Sequence, residues 1–474
     1  MSNDLRLLRA LSRDGLEVRR DGAFWSVRLH DDPDGPPAEV LLPADLPLEK
    51  KALHQLAALA SVRHPGGGGV VAAVATPDFH PGDSGIAIGS VVETEGAVIP
   101  AAIGTDINCG MRLHVADLSV DRLLSVRDAL VASLTGDYLL GTRDLPMPGS
   151  VMRAMFQHGL PGWLDAAGRD LPGQLRASDP DQLLTETDRV MLGGGQAGDV
   201  ADAPEDLVPE QGQVRDAGLA TIGGGNHFVE LGEVEEVLDR QLAYEWGLQK
   251  GKVSVLIHSG SRLVGKGIGS RWMQRAKEAW PAGVPHPRSR IFPLSLQHTP
   301  ELVAGWLRAE ATAANYGFLN RMLLAELLRL RLREQLGSLE LPLICDIPHN
   351  ITLPEGRGWV ARKGACPAHE GQPVLIPGSM GTSSYVAVGL GAARTLCSAS
   401  HGAGRAHERF AMGRAHGPEA LGLDGVDCVT LRPERRVEEA PAAYKPIESV
   451  MRAQVDAGVL RVVAKLRPVL TFKA

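Results

Sequence analysis

Apolar residues recur along this chain at two spacings, and each predicts its own kind of element. Lys50–Val62 repeats them at three- and four-residue intervals, which predicts an amphipathic helix. Glu301–Gln335 does the same over a much longer stretch and halts just before Gly337, well placed to close a helix C-terminus. Short apolar runs predict buried strands at Val70–Ala75, Lys252–Ile257 and Leu341–Ile347. The last two run straight into His258 and into Pro348-His349. Nearer the N-terminus, a short helix is expected over Leu5–Leu11 and a strand over Ala23–Leu29, with a turn at 31–37. From Thr76 to about residue 115, short apolar strands alternate with Gly/Pro/Asp loops. Residues 120–215 pattern as more helical, with Arg176–Asp188 and Gly193–Gln211 expected as surface or mobile loops.

This mixture predicts a mixed α/β (α+β) fold. One large catalytic domain is expected over residues 66–474, with a helical insertion at about 120–215 and residues 1–65 as a leading segment packed on the body. There is no internal repeat. Most polar motifs fall at strand ends or in glycine loops, where enzymes of this class usually keep their chemistry.

Composition adds little until charge and cysteine are considered. The 474 residues include 55 glycines and only 4% aromatics, which favours turns and close backbone approaches over a thick aromatic core. A formal net charge of -7 argues against broad coating of nucleic acid but leaves room for a local basic groove. Five cysteines without a CxxC pair fit a reducing compartment, so a cytoplasmic location is expected. The first residues carry no apolar run and no stretch is apolar enough to span a membrane, so neither a secretory signal nor a membrane segment is expected.

The candidate chemistry lies in six places. Asp106 and Cys109, in Gly104-Thr105-Asp106-Ile107-Asn108-Cys109-Gly110, can converge on one metal, although the pair also fits a turn residue and a buried thiol. In Gly223-Gly224-Gly225-Asn226-His227-Phe228-Val229-Glu230, three glycines let backbone approach a ligand just before Asn, His and Glu. His258-Ser259-Gly260-Ser261-Arg262 resembles a phosphate loop; Gly260–Lys266 nearly spells a Walker A motif but continues with Gly267 instead of Ser or Thr. Asp346-Ile347-Pro348-His349-Asn350 supplies the third strand-end histidine. Arg362-Lys363-Gly364 and the hydroxyl-rich stretch from Ile376 to Tyr385 favour recognition of a nucleotide. In Ser400-His401-Gly402-Ala403-Gly404-Arg405, small residues leave the imidazole of His401 uncovered, as a metal ligand, general base or nucleophile. Three histidines, an aspartate and a cysteine are enough ligands for two ions if the thiolate bridges, an arrangement suited to phosphoryl or nucleotidyl transfer.

Taken in this order, the motifs resemble the RtcB family of RNA-splicing ligases. The resemblance runs from about Thr76 to Lys473 and includes Pro77-Asp78-Phe79-His80-Pro81-Gly82, Ala313-Ala314-Asn315-Tyr316, Asn320-Arg321 and Ala443-Tyr444-Lys445-Pro446-Ile447. It implies GTP- and Mn²⁺-dependent joining of RNA 2′,3′-cyclic phosphate or 3′-phosphate ends to 5′-hydroxyl ends, in tRNA splicing or RNA repair. Cys109 would bridge two Mn²⁺ ions, with Asp106 and His227 on one and His258 and His349 on the other. His401 would carry GMP. The guanylate would be surrounded by Asn226, His227, Phe228, Val229, Glu230, His349, Asn350, Pro377, Gly378, Ser379, Met380, Ser384, His401, Gly402, Ala403, Gly404 and Lys473. Glu230 and Lys473 would read the guanine edge, and Arg262 and Arg405 would hold RNA phosphates, with Arg362 and Lys363 as further cations of the track. An archease-type activator is the partner implied besides RNA.

Several positions depart from the family pattern. Ser400 stands where a cysteine usually precedes the nucleophile, Leu263-Val264 replaces Gly-Leu, and Ala361 stands where a histidine usually precedes Arg-Lys-Gly. Asp83–Ile88 and the terminal Ala474 also differ. None removes a proposed metal ligand or the nucleophile. Two other classes share these ligands: a dinuclear phosphohydrolase or cyclic phosphodiesterase that opens RNA ends without joining them, and a non-catalytic RNA-binding relative.

Overall fold

The computed structural model describes residues 3–33, 35–407 and 425–474. Its architecture is mixed α and β, built on two large sheets. One sheet has seven strands, in the order Leu16–Asp21, Phe24–Leu29, Ala38–Leu41, Gly69–His80, Ile88–Glu95, Trp359–Lys363 and Asn350–Leu353. Leading residues therefore pair with the body: Ala38–Val40 lie parallel to Ala73–Ala75.

The second sheet positions the chemistry. Its order is Leu343–Pro348, Gly110–Ser119, Lys252–Ser259, Phe228–Val237, Leu460–Phe472, Ser384–Gly389 and Pro373–Ile376, with Asp427–Val429 beside Leu460–Phe472. Along this path every pair is antiparallel. The end of one strand thus meets the start of the next at a single edge. In register, Phe228 faces His258, and Gly110 faces both Ser259 and Pro348. Cys109 and His227, each just before a strand, therefore reach the same edge as His258 and His349, each at the end of one.

A 37-residue helix, Pro300–Leu336, runs through the interior and ends at Gly337, whose φ of 78° suits a residue without Cβ. It is buried nearly all round from Ala309 to Leu332. Three of its buried charged residues, Arg321, Glu326 and Arg329, are offset by partners. Arg321 meets Asp346 at 2.7 Å, and Arg329 bonds both Glu326 and Glu186. Arg112 completes the network, 2.9 Å from Glu186 and 3.4 Å from Asp346.

The predicted helices at 50–62 and 301–335 appear as Lys50–Ala60 and Pro300–Leu336. The strand predicted at Val70–Ala75 extends over Gly69–His80. Residues 120–167 carry helices, including Gly149–Ala167, which bends where Gly159 takes a φ of 67°. One expectation fails. Arg176–Asp188 is not simply surface loop: it holds the helix Pro180–Glu186, capped by Asp179, and Glu186 is buried against two arginines. A polar stretch read from sequence has no sign of its buried counter-charges, which lie far along the chain. Among the described residues, no helix is long and apolar enough to cross a membrane.

Candidate active site

Four segments meet at the sheet edge. Cys109 Sγ lies 3.1 Å from His227 Nε2 and 3.2 Å from His258 Nε2. His258 Nε2 is 3.3 Å from His349 Nε2, and His227 Nε2 is 3.0 Å from Asp106 Oδ2. Two donor groups result, Asp106–Cys109–His227 and Cys109–His258–His349, with the thiol common to both.

The donor chemistry fits metal ions. The Nδ1 atoms of His227 and His258 lie 3.1 Å from the carbonyls of Ile222 and Asn226, so those nitrogens carry the protons and both Nε2 lone pairs point inward. Contacts of 3.0–3.3 Å between such donors match the edges of a coordination shell of N, O and S ligands. Burial holds His258 and His349 well below the ordinary imidazole value, hence neutral. Burial, reinforced by Asp106, pushes the Cys109 thiol well up. A cation is what would make it a thiolate.

Neighbouring residues make this packing possible. A Cβ on Gly260 would sit 2.4 Å from Asp106 Oδ1 and 3.0 Å from Cys109 Cα. Arg321 donates to the carbonyls of Asn108 at 2.6 Å and Ser259 at 3.0 Å, and to Asp346 at 2.9 Å. One buried guanidinium thereby ties together the three segments that carry Cys109, His258 and His349.

His401 stands beside this cluster, its ring 4.8 Å from that of His349. Its Nδ1 lies 2.6 Å from Asp78 Oδ2, and its backbone N–H donates to the same oxygen at 3.1 Å. Thr76 Oγ1 donates to the other oxygen of Asp78 at 2.5 Å. The carboxylate is fully buried; burial would raise it, but His401 and these hydrogen bonds carry it below its ordinary value. An ionised Asp78 accepts the Nδ1 proton and leaves His401 Nε2 with its lone pair. Gly404, with a φ of 73°, touches the Asp78 backbone so closely that a Cβ would lie 2.1 Å from the Asp78 carbonyl oxygen.

A cleft of about 760 Å³ opens over His401. Asn226, Phe228, Glu230, His258, Pro377–Met380, His401–Gly404, Arg405 and Lys473 line it. Burial raises Glu230 to about 7, opposed by the Thr471 hydroxyl and Lys473. A cleft this size, lined by Gly402 and Gly404 and by the buried carboxyl of Glu230, can take a purine nucleotide.

A family model described as tRNA-splicing ligase RtcB matches residues 55–474. The chain belongs to the RtcB family. A tRNA-splicing ligase RtcB of Archaeoglobus fulgidus is 32% identical over 470 aligned positions, covering 89% of this chain and 90% of the relative. An RNA-splicing ligase RtcB of Mycobacterium tuberculosis is 34% identical over 438, covering 84% and 96%. A third, from Thermococcus kodakarensis, is 30% identical, covering 83% and 86%.

Within this RtcB site, some residues named from sequence do other work. Val229 is wholly buried in its strand and Ser384 Oγ accepts the Gly378 N–H. Asn350 donates to the Asp106 carbonyl at 2.9 Å and accepts from Gly364 N–H at 2.7 Å, which ties the metal loop to the glycine beside His401. Arg405 pairs with Glu439 at 3.2 Å, as does Lys473 at 3.3 Å. Arg262 bends into a φ of 56° and donates to Thr221, and a Cβ on Gly223 would collide with its guanidinium.

One reading needs correction. Arg362, expected among the RNA-facing cations, is fully buried and bonds Glu355, Ser398 and the Leu396 carbonyl. In the loop at 258–262, Ser259 donates to the Ile222 carbonyl and Ser261 to that of Ile107. Lys363 donates to Ser84 and to the Ile86 carbonyl, and burial draws it down to about 8. Sequence reasoning assigned no role to Asp78 or His80. Asp78 is 323 residues from His401, and its only signal was its place in the Pro77–Gly82 run.

Proposed function

We propose that this chain is a GTP- and Mn²⁺-dependent RNA ligase that joins 3′-phosphate or 2′,3′-cyclic phosphate ends to 5′-hydroxyl ends, with GMP carried on His401. The observation that carries this reading is the 2.6 Å contact between Asp78 and His401 Nδ1 at the floor of the cleft. It supports Nε2 as the nucleophilic atom. Family membership, and relatives named as RNA-splicing ligases, support RNA as the substrate.

Nε2 attacks the α-phosphorus of GTP, a P–N bond forms, and the P–O bond to pyrophosphate breaks. Asp78, accepting the hydrogen bond from Nδ1–H, stays ionised and offsets the positive charge that develops on the ring. An RNA 3′-phosphate oxygen then attacks the same phosphorus and releases the imidazole. The 5′-hydroxyl attacks the activated 3′-phosphate and expels GMP. A cyclic end is first opened by water to the 3′-phosphate. Asp106, Cys109, His227, His258 and His349 would hold two ions, which neutralise phosphate charge and polarise phosphorus when bound. Cys and His ligands favour Zn²⁺ over Mn²⁺ on intrinsic affinity, so Mn²⁺ use reflects availability, and metal analysis paired with activity in each metal tests it. Glu230 accepts from the guanine N–H edge, and Gly402, which lines the cleft, leaves room for phosphate.

Labelled GTP with Mn²⁺ should give an acid-labile, alkali-stable protein–GMP adduct that His401→Ala abolishes. Persistence of the adduct in that variant overturns the assignment. Ends opened to 3′-phosphate but never joined, without GTP dependence, would mark a dinuclear phosphohydrolase instead.

A further inference from the structure

The acidic total conceals one strongly basic region. Between residues 246 and 300 there are nine Lys and Arg against a single acid, Glu278, in a chain of net charge -7. The helix Arg262–Glu278 carries five of the nine and starts at the metal centre. It is fixed there by contact: a Cβ on Gly269 would lie 3.2 Å from Thr105 Cα, and one on Gly265 3.1 Å from the Thr105 carbonyl oxygen. Its apolar side packs inward through Val264, Ile268, Trp272 and Ala276.

The cations differ in how they are used. Arg271 pairs with Asp202 at 3.0 Å, and Arg275 lies over the Trp272 ring at 4.3 Å. Lys266 and Lys277 are exposed and, among the described residues, meet no carboxylate. At about 100° per residue, Arg262, Lys266, Ser270 and Lys277 fall within about 80° of one another, whereas Arg271 and Arg275 face the far side. Two exposed lysines in line with Arg262, beside the candidate metal ligands, are an electrostatic footprint for a polyanion whose end must reach that centre.

We propose that the Arg262–Lys266–Ser270–Lys277 flank is the track on which one RNA strand lies as it approaches the metal centre. This rests on the ligase reading for the identity of the polyanion. Each lysine neutralises a phosphate and releases counterions, so the contribution is salt-dependent and independent of sequence.

The test is fluorescence anisotropy with a short single-stranded RNA bearing a 3′-phosphate, titrated at several salt concentrations. Lys266→Gln/Lys277→Gln should lower the slope of log affinity against log salt by about 1.4 and weaken binding on the order of 25-fold near 0.1 M salt, at about 0.7 per phosphate. Arg275→Gln, on the far side, should leave the slope unchanged. Thermal melting checks that each variant folds. An unchanged slope in the double variant, or an equal loss in Arg275→Gln, overturns the track. So does a double variant that binds RNA normally but loses affinity for an acidic protein. Wild-type protein that binds this RNA through the track yet never forms a GMP adduct would remove the ligase reading and leave the surface standing.

Discussion

Replacing Asp78 by Asn keeps the shape of the side chain and removes its charge. Its carboxylate accepts three hydrogen bonds, from Thr76 Oγ1, His401 Nδ1 and His401 N–H. Asn has one acceptor oxygen and an NH₂ group, so it can no longer satisfy all three. If the NH₂ turns toward His401, Nδ1 must become the acceptor and the proton moves to Nε2, the atom that has to attack. If the oxygen stays there, the bond survives but no longer offsets charge on the ring. Exchanging a hydrogen bond to an ionised group for a neutral one, with partial loss of the reactive tautomer, costs about 2–4 kcal/mol of transition-state stabilisation. That corresponds to guanylylation roughly 30- to 1,000-fold slower. The assay is single-turnover transfer from labelled GTP in excess Mn²⁺, with GTP and metal affinities measured separately. Those affinities should change little, because Asp78 is buried away from the metal donors and does not line the cleft. Adduct formation at the wild-type rate would refute the role given to Asp78. A lost rate together with lost metal binding would show that the substitution had disturbed the fold around the site.

Burial places Glu230 at about 7 against an ordinary 4.5. The folded carboxyl therefore keeps a proton that the unfolded one has released, and stability should fall as pH rises through this window by about 1.4 kcal/mol per unit. GTP affinity should rise over the upper part of the window, because guanine donors need the ionised form; Glu230→Gln should flatten both profiles in melting and GTP titrations. Arg321→Lys keeps the charge but cannot reach all three of its partners, Asn108, Ser259 and Asp346. Metal affinity should weaken about 10- to 100-fold, read by calorimetric titration, and wild-type affinity would show that the guanidinium does not set the ligand positions. Ser400 Oγ is buried with no hydrogen-bond partner among the described residues, while its N–H donates to Gln454. Ser400→Cys should therefore stabilise by about 1 kcal/mol and leave guanylylation intact, and a clear loss in denaturant midpoint would contradict this.

The long helix and the strands leading into His258 and His349 were legible because periodicity is a local property of the chain. The candidate metal donors were legible because they sit in small-residue motifs beside strand ends, where only a few side-chain types can coordinate. The strand Leu460–Phe472 went unassigned, since its mixed residues carry no clean alternation, and Gly110–Ser119 fell only partly within the stretch expected to hold short strands. Arg362 was misread for a related reason: a cation in sequence looks exposed until its partner, Glu355, is seen beside it.

By itself the sequence determined which residues could bind metal and nucleotide, and left three roles open for His401. Tertiary structure narrowed them. Antiparallel register carries Cys109, His227, His258 and His349 to one edge, where with Asp106 they form two candidate donor groups. Asp78, far away in the chain, takes His401 Nδ1 and leaves one nitrogen facing the cleft. The physical reason is that a side chain's role here depends on its tautomer and its counter-charge, and both are set by neighbours that only folding brings into contact.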